Sequence, residues 1–212
     1  MLKIYAIPVS LYCAKLRILL RHKGLEWQEE PPPGGYGSEE YKRLVPGGNL
    51  PALIHDGHLI NDSEAIAEYL NEMFPEPAML PTGPGLAGAR ADIRSLSRFH
   101  DTRLEPAVRK TFQYIARDKR APEVISDLWF DVEERLGQAE RLLPAAPRAL
   151  TLADCGLPVT CTWIKALCAH FEQKPLLQGK MQAYLEWVSE IQAVSAELAD
   201  YRPRLESWLA DQ

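Results

Sequence analysis

The sequence predicts an α/β unit built on a small mixed sheet, followed by an all-helical unit. Three observations predict this. Strand-like and helix-like hydrophobic periods alternate up to about residue 75. A stretch at 75–88 then carries four prolines and three glycines, the composition of a linker. Beyond it the strand signals nearly vanish, while helical spacing continues. The boundaries read as 1–76 for the first unit, 77–87 for the linker and 88–212 for the helical unit.

Residues 2–7 alternate and are β-prone, and Pro8 ends that strand. Over 11–23 the apolar spacing turns helical through Cys13, Leu16 and Leu20, and Gly24 stops the helix. Residues 25–29 read as a second strand. The stretch 31–38 (PPPGGYGS) is a loop, long enough for a compact domain to suggest a functional role. A short helix is expected at 39–44. The runs 50–54 and 58–60 flank His55-Asp56-Gly57, and Asp-Gly between apolar runs signals a hairpin. Ser63 caps a helix whose face is Ile66, Ala67, Leu70 and Phe74. The βαβ start implies a parallel pair and the hairpin an antiparallel one. Helical patterns then cover 86–118, 122–143, 152–171, 178–191 and 195–209.

With 212 residues, the chain can bury one large core or two modest ones. Apolar residues at 46% and charged residues at 25% are an ordinary globular mix. A formal net charge of −5 argues against a general nucleic-acid binder. No run approaches the ~20 apolar residues of a membrane span, and the first residues lack a signal peptide's apolar core, so a cytoplasmic protein is expected. Cys13, Cys155, Cys161 and Cys168 form no Cys-x-x-Cys pair, which excludes a disulfide framework or zinc site; the histidines have no metal-ligand spacing.

Four local features stand out. Pro51 opens a strand although it offers no ladder donor. Asp62-Ser63 begins a helix, where N–H groups and a hydroxyl can hold an anion, or simply cap. Ser10 lies where the first strand gives way to the first helix. Thr151-Leu152-Ala153-Asp154 is a capping box before a very apolar helix.

In this order and spacing the features resemble the cytosolic glutathione transferase superfamily over nearly the whole chain. The resemblance implies a thioredoxin-like first unit that binds glutathione and a helical bundle that binds a second substrate. Pro51 would be cis, with the main chain of Leu50 pairing with the cysteinyl part of glutathione like an added strand. Ser63 would bind the γ-glutamyl carboxylate and Asp62 the ammonium, where the family carries Glu-Ser or Gln-Ser. Asn49 and Lys42 fall where the family meets the glycyl carboxylate. Ser10 precedes Lys15-Leu16-Arg17-Ile18 by five residues. That run is similar to the Arg-Val-Arg-Ile of zeta- and omega-like classes, in which this position is catalytic. Ser10 would therefore stabilise the glutathione thiolate.

Tyr5 and Tyr12 are rival hydroxyls. Ser10-Leu11-Tyr12-Cys13 also resembles the glutaredoxin Cys-Pro-Tyr-Cys with serine first, but Cys13 falls on the apolar stripe and reads as a packed thiol. Asp154 reads as structural. Tyr12, Phe99, His100, Arg103 and Tyr114 are the candidates for the second-substrate site. The resemblance implies a glutathione transferase or isomerase acting on a small electrophile as a homodimer, with glutathione as co-substrate and no metal. The alternatives are a thiol-disulfide reductase, which needs a cysteine where Ser10 stands, and a non-enzymatic module that binds a partner protein.

Overall fold

In the computed structural model, which describes residues 1–146 and 149–212, the chain divides into two units, Met1–Met79 and Leu80–Gln212. The first contains β1 (Leu2–Tyr5), α1 (Leu11–His22), β2 (Trp27–Glu30), α2 (Glu39–Leu44), β3 (Ala52–His55), β4 (His58–Asn61) and α3 (Ser63–Met73). The strands form one sheet in the order β2-β1-β3-β4. β1 runs parallel to β2 and antiparallel to β3, and β3 pairs antiparallel with β4. The hairpin turns at Asp56 and Gly57 with φ of 48° and 82°, the pair of positive values that a tight two-residue turn needs.

α1 starts on Ser10, whose Oγ accepts from the Cys13 N–H at 3.3 Å. It ends before Gly24, whose φ is +63°. Its buried residues include Cys13, Leu16, Ile18, Leu19 and Leu20. The ammonium of Lys23 donates to the carbonyls of Phe74 at 2.7 Å and Pro77 at 2.9 Å, which ties the end of α1 to the end of the unit.

The second unit contains α4 (Ala87–Phe99), α5 (Glu105–Arg109), α6 (Pro122–Leu142), α7 (Leu157–His170), α8 (Gly179–Ser189) and α9 (Gln192–Ala210). One helix over 86–118 is expected; the structure breaks it. A π-helical turn spans His100–Leu104, and 3-10 turns span Lys110–Tyr114 and Arg117–Lys119. Pro106 supplies the reason, because it has no N–H to return to the preceding turn. The Glu105 N–H reaches back to the carbonyl of His100, the five-residue step that defines the bulge. The helix expected over 152–171 is also divided, into a 3-10 turn at Leu152–Asp154 and then α7, with Pro158 in its first turn.

Two clusters hold this unit. Trp163 donates its indole N–H to the Tyr201 hydroxyl at 2.6 Å, and its ring stacks on Phe112 with centroids 4.5 Å apart. Asp154, with no exposed surface, accepts from the N–H of Thr151 at 2.8 Å, from the Thr151 hydroxyl at 2.7 Å and from the Tyr184 hydroxyl at 3.0 Å. No helix among the described residues is long and apolar enough to cross a membrane.

Candidate functional site

Strand register brings the sequence landmarks of the first unit together. Tyr5 pairs with Glu30 on one side and with Ala52 on the other, and Ala52 pairs with Asn61. These four residues form one row across the sheet. The segments just past Tyr5, Glu30 and Asn61, and the segment just before Ala52, therefore leave the sheet at the same end. They carry Ser10, the 31–38 loop, Asp62-Ser63 and Asn49-Leu50-Pro51 respectively.

Ser10 is half-buried at the N-cap of α1. Its Oγ lone pair is occupied by the Cys13 N–H, which leaves the hydroxyl proton as a donor. Arg17 holds the approach to it, donating to the carbonyl of Pro8 at 3.3 Å and to Glu29 Oε1 at 3.1 Å. Cys13 itself is completely buried, and burial pushes its thiol above the ordinary range, opposed by the neighbouring Ser10 hydroxyl and Ile7 backbone. A protonated, inaccessible thiol does not act as a redox nucleophile. Tyr5 is buried with its ring edge-on to Tyr41, centroids 5.7 Å apart. Tyr12 is half-buried on α1.

The peptide bond between Leu50 and Pro51 is cis. Among the described residues, no hydrogen bond engages the main-chain N–H or C=O of Leu50. The segment is held by Tyr41, a fully buried residue of α2 whose hydroxyl donates to the carbonyl of Asn49 at 2.9 Å. Burial keeps this phenol protonated well above its usual range, so it stays a donor. Sequence reasoning missed Tyr41, because one tyrosine on a short amphipathic helix carries no signal beyond core packing. Gly48 turns the chain toward Asn49 with φ +63° and lies against the stem of Lys42. Asn49 is exposed, and Lys42 is exposed with its ammonium 2.8 Å from Glu39 Oε1.

Tyr41→Phe tests the anchoring of this segment. One hydrogen bond of this kind is worth about 0.5–1.5 kcal/mol, so up to about a tenfold loss in affinity is expected for a peptide that pairs with Leu50. Calorimetry reads it. An unchanged affinity would assign Tyr41 to packing alone.

At the third landmark the cap is one residue earlier than the expected Ser63. Asp62 is the N-cap of α3, and its Oδ1 accepts from the N–H of Glu64 at 2.9 Å and of Ala65 at 3.1 Å. Its φ of +76° is a conformation that a non-glycine residue rarely holds and that concentrates at functional sites. Ser63 becomes the first helical residue. Its N–H and hydroxyl make no hydrogen bond among the described residues, so both remain available at the positive end of α3.

The remaining candidates belong to the helical unit. Phe99 is half-buried at the end of α4, Arg103 is exposed on the π-helical turn, and Tyr114 is half-buried at the end of a 3-10 turn. His100 is buried, its ring nitrogens 2.8 Å from Asp101 Oδ1 and 2.6 Å from Thr160 Oγ1. A Cβ built on Gly156 would lie 2.5 Å from its ring. The imidazole is thus accounted for by packing inside the unit rather than offered to a ligand.

Residues 4–78 match the family model of the glutathione S-transferase N-terminal domain. Glutathione S-transferase Z2 of Arabidopsis thaliana is 37% identical over 84 residues, 38% of each chain. Maleylacetoacetate isomerase of Pseudomonas aeruginosa is 37% identical over 89 residues, 39% of this chain and 42% of its own. The matched stretch is thus about two-fifths of the length of these curated relatives. The structure of maleyl pyruvate isomerase, a bacterial zeta-class glutathione S-transferase, superposes with a TM-score of 0.71 at 23% identity, over 92% of this chain and 95% of that one. That likeness extends the shared fold through the helical unit.

Proposed function

We propose, for a chain whose first unit is a glutathione S-transferase N-terminal domain, that it binds glutathione at the Tyr5–Ala52–Asn61 end of the sheet. There it activates the thiol for attack on a small electrophile, or for its isomerisation. One observation carries the reading: a single end of the sheet gathers the Ser10 hydroxyl, the main-chain N–H and C=O of Leu50, and the N–H and hydroxyl of Ser63 at the start of α3. Neighbouring strands stand about 4.8 Å apart, so the row from Tyr5 to Asn61 spans about 10 Å, and an extended tripeptide spans a similar distance.

The chemistry follows from these groups. The N–H and C=O of Leu50 hold the cysteinyl residue as an added strand. Ser63, through its N–H and hydroxyl at the positive end of α3, holds the γ-glutamyl carboxylate, and the second oxygen of Asp62 meets the ammonium. Asn49, with Lys42 once it leaves Glu39, meets the glycyl carboxylate. A free thiol titrates near about 8.5. The Ser10 proton and the N-terminus of α1 favour the thiolate, which lowers that value and supplies a nucleophile at neutral pH.

In a transfer, the sulfur lone pair forms a C–S bond and the leaving group departs with its electron pair. In an isomerisation, the thiolate adds to one carbon of a conjugated cis double bond, the new single bond rotates, and expulsion of the thiolate restores glutathione. Phe99, Arg103 and Tyr114 of the second unit are the proposed contacts of the second substrate. An arginine among aromatics suits an apolar, anionic electrophile. A cytoplasmic homodimer completes the proposal.

Calorimetry with glutathione, together with the absorbance of the bound thiolate against pH, tests this reading. Binding with the thiol ionising below its free value is the expected result. No binding at all would leave the partner-protein module as the reading to pursue.

A further inference from the structure

We infer that Lys15 keeps the carboxylate subsite at Ser63 open to an anion by offsetting the charge of Glu64, an inference that rests on the glutathione reading. Glu64 follows Ser63 directly and is 8% exposed. It is the acidic residue of the first turn of α3, the same turn whose terminus is to receive the γ-glutamyl carboxylate. Lys15 comes from α1, is 2% exposed, and puts Nζ 2.7 Å from Glu64 Oε2. Lysine is seldom buried to this degree, and then only when paired.

A buried ion pair stabilises a fold little better than well-packed apolar residues of the same volume, so stability is a poor account of it. Its location gives a better one. Removal of the Lys15 charge would let the Glu64 carboxylate oppose a carboxylate bound at the same helix terminus, which weakens binding by about tenfold to a hundredfold for charges about 6 Å apart at an intermediate effective dielectric. Lys15 also lies on the helix that Ser10 caps. The pair therefore links the helix carrying the thiol donor to the helix carrying the carboxylate anchor. Lys15 touches no substrate atom in this scheme; it acts through Glu64, as a positioning and charge-balancing residue.

Two probes separate this role from a structural one: glutathione, and glutathione amidated at the γ-glutamyl α-carboxyl group. Wild type is expected to prefer glutathione. In Lys15→Met that preference collapses, with glutathione weakened about tenfold to a hundredfold and the amide changed by no more than about threefold. Adding Glu64→Gln to Lys15→Met removes the opposing charge and restores glutathione to within about threefold of wild type.

Equal weakening of both probes in Lys15→Met, unaltered glutathione affinity, or no recovery in the double variant would overturn the inference. If Lys15→Met does not fold, Glu64→Gln alone decides the matter. It is expected to bind glutathione at least as tightly as wild type, and weaker binding counts against the role. Wild type that binds neither probe overturns the glutathione reading itself, an outcome distinct from wild-type binding that Lys15→Met leaves intact.

Discussion

Ser10→Ala is expected to lower kcat/KM for a glutathione-dependent reaction of this protein about 10²- to 10³-fold, the usual effect of removing one donor aimed at a developing or held anion. The thiol pKa of bound glutathione rises toward its free value of about 8.5. At neutral pH the thiolate fraction then falls, whereas at pH well above that value the variant regains thiolate, so its rate deficit narrows as pH rises. Glutathione affinity is expected to change much less, because on the proposed reading Leu50 and Ser63 still hold the peptide. The N-cap is lost as well, at about 1 kcal/mol of stability, too little to explain such a rate loss. Ser10→Thr keeps both hydroxyl and cap and recovers most of the rate. Stopped-flow conjugation and thiolate absorbance across pH measure all of this. A pKa shift that survives in Ser10→Ala would move the role to Tyr5 or Tyr12.

Asp154→Ala has the largest expected effect on stability. Three donors converge on this buried carboxylate: the N–H and hydroxyl of Thr151, and the hydroxyl of Tyr184. Removing it costs a capping interaction of about 1 kcal/mol and leaves buried donors unsatisfied at about 1–3 kcal/mol each. Counting the Thr151 N–H as the cap and the two hydroxyls as the unsatisfied donors, we expect a total of about 3–7 kcal/mol, a large part of the ~5–15 kcal/mol that holds a typical fold. Urea unfolding followed by tryptophan fluorescence reads it, since Trp163 lies in the same unit. Glutathione binding by the folded protein is expected to persist, because Ser10, Leu50 and Ser63 all belong to the first unit. A variant of unchanged stability that has lost activity would make Asp154 a catalytic group.

How much could be read in advance depended on how local the cause was. The Asp56-Gly57 turn was legible, because two adjacent residues carry the whole requirement for positive φ. The Thr151–Asp154 box was legible for the same reason, being complete within four residues. The choice between Asp62 and Ser63 as cap was not. Both residue types can cap, and where β4 ends in its pairing with β3 decides which of them enters the helix. Pro106 was visible in the sequence, yet whether it kinks, ends or bulges a helix is set by what packs around it. His100 looked like a ligand contact on spacing alone. Its partner Thr160 lies 60 residues away, where no periodicity could point to it.

The sequence by itself determined the class of both units, the hairpin and the identity of the chemical groups, because hydrophobic period, turn chemistry and caps act over a few neighbouring residues. Only the tertiary structure decided which of those groups come together. It put Tyr5, Ala52 and Asn61 in one row, set Tyr41 against Asn49, and closed Lys15 on Glu64 across 49 residues of chain. Such contacts arise from strand register and the packing of helices on the sheet. These are collective properties of the folded chain, and no single stretch of residues encodes them.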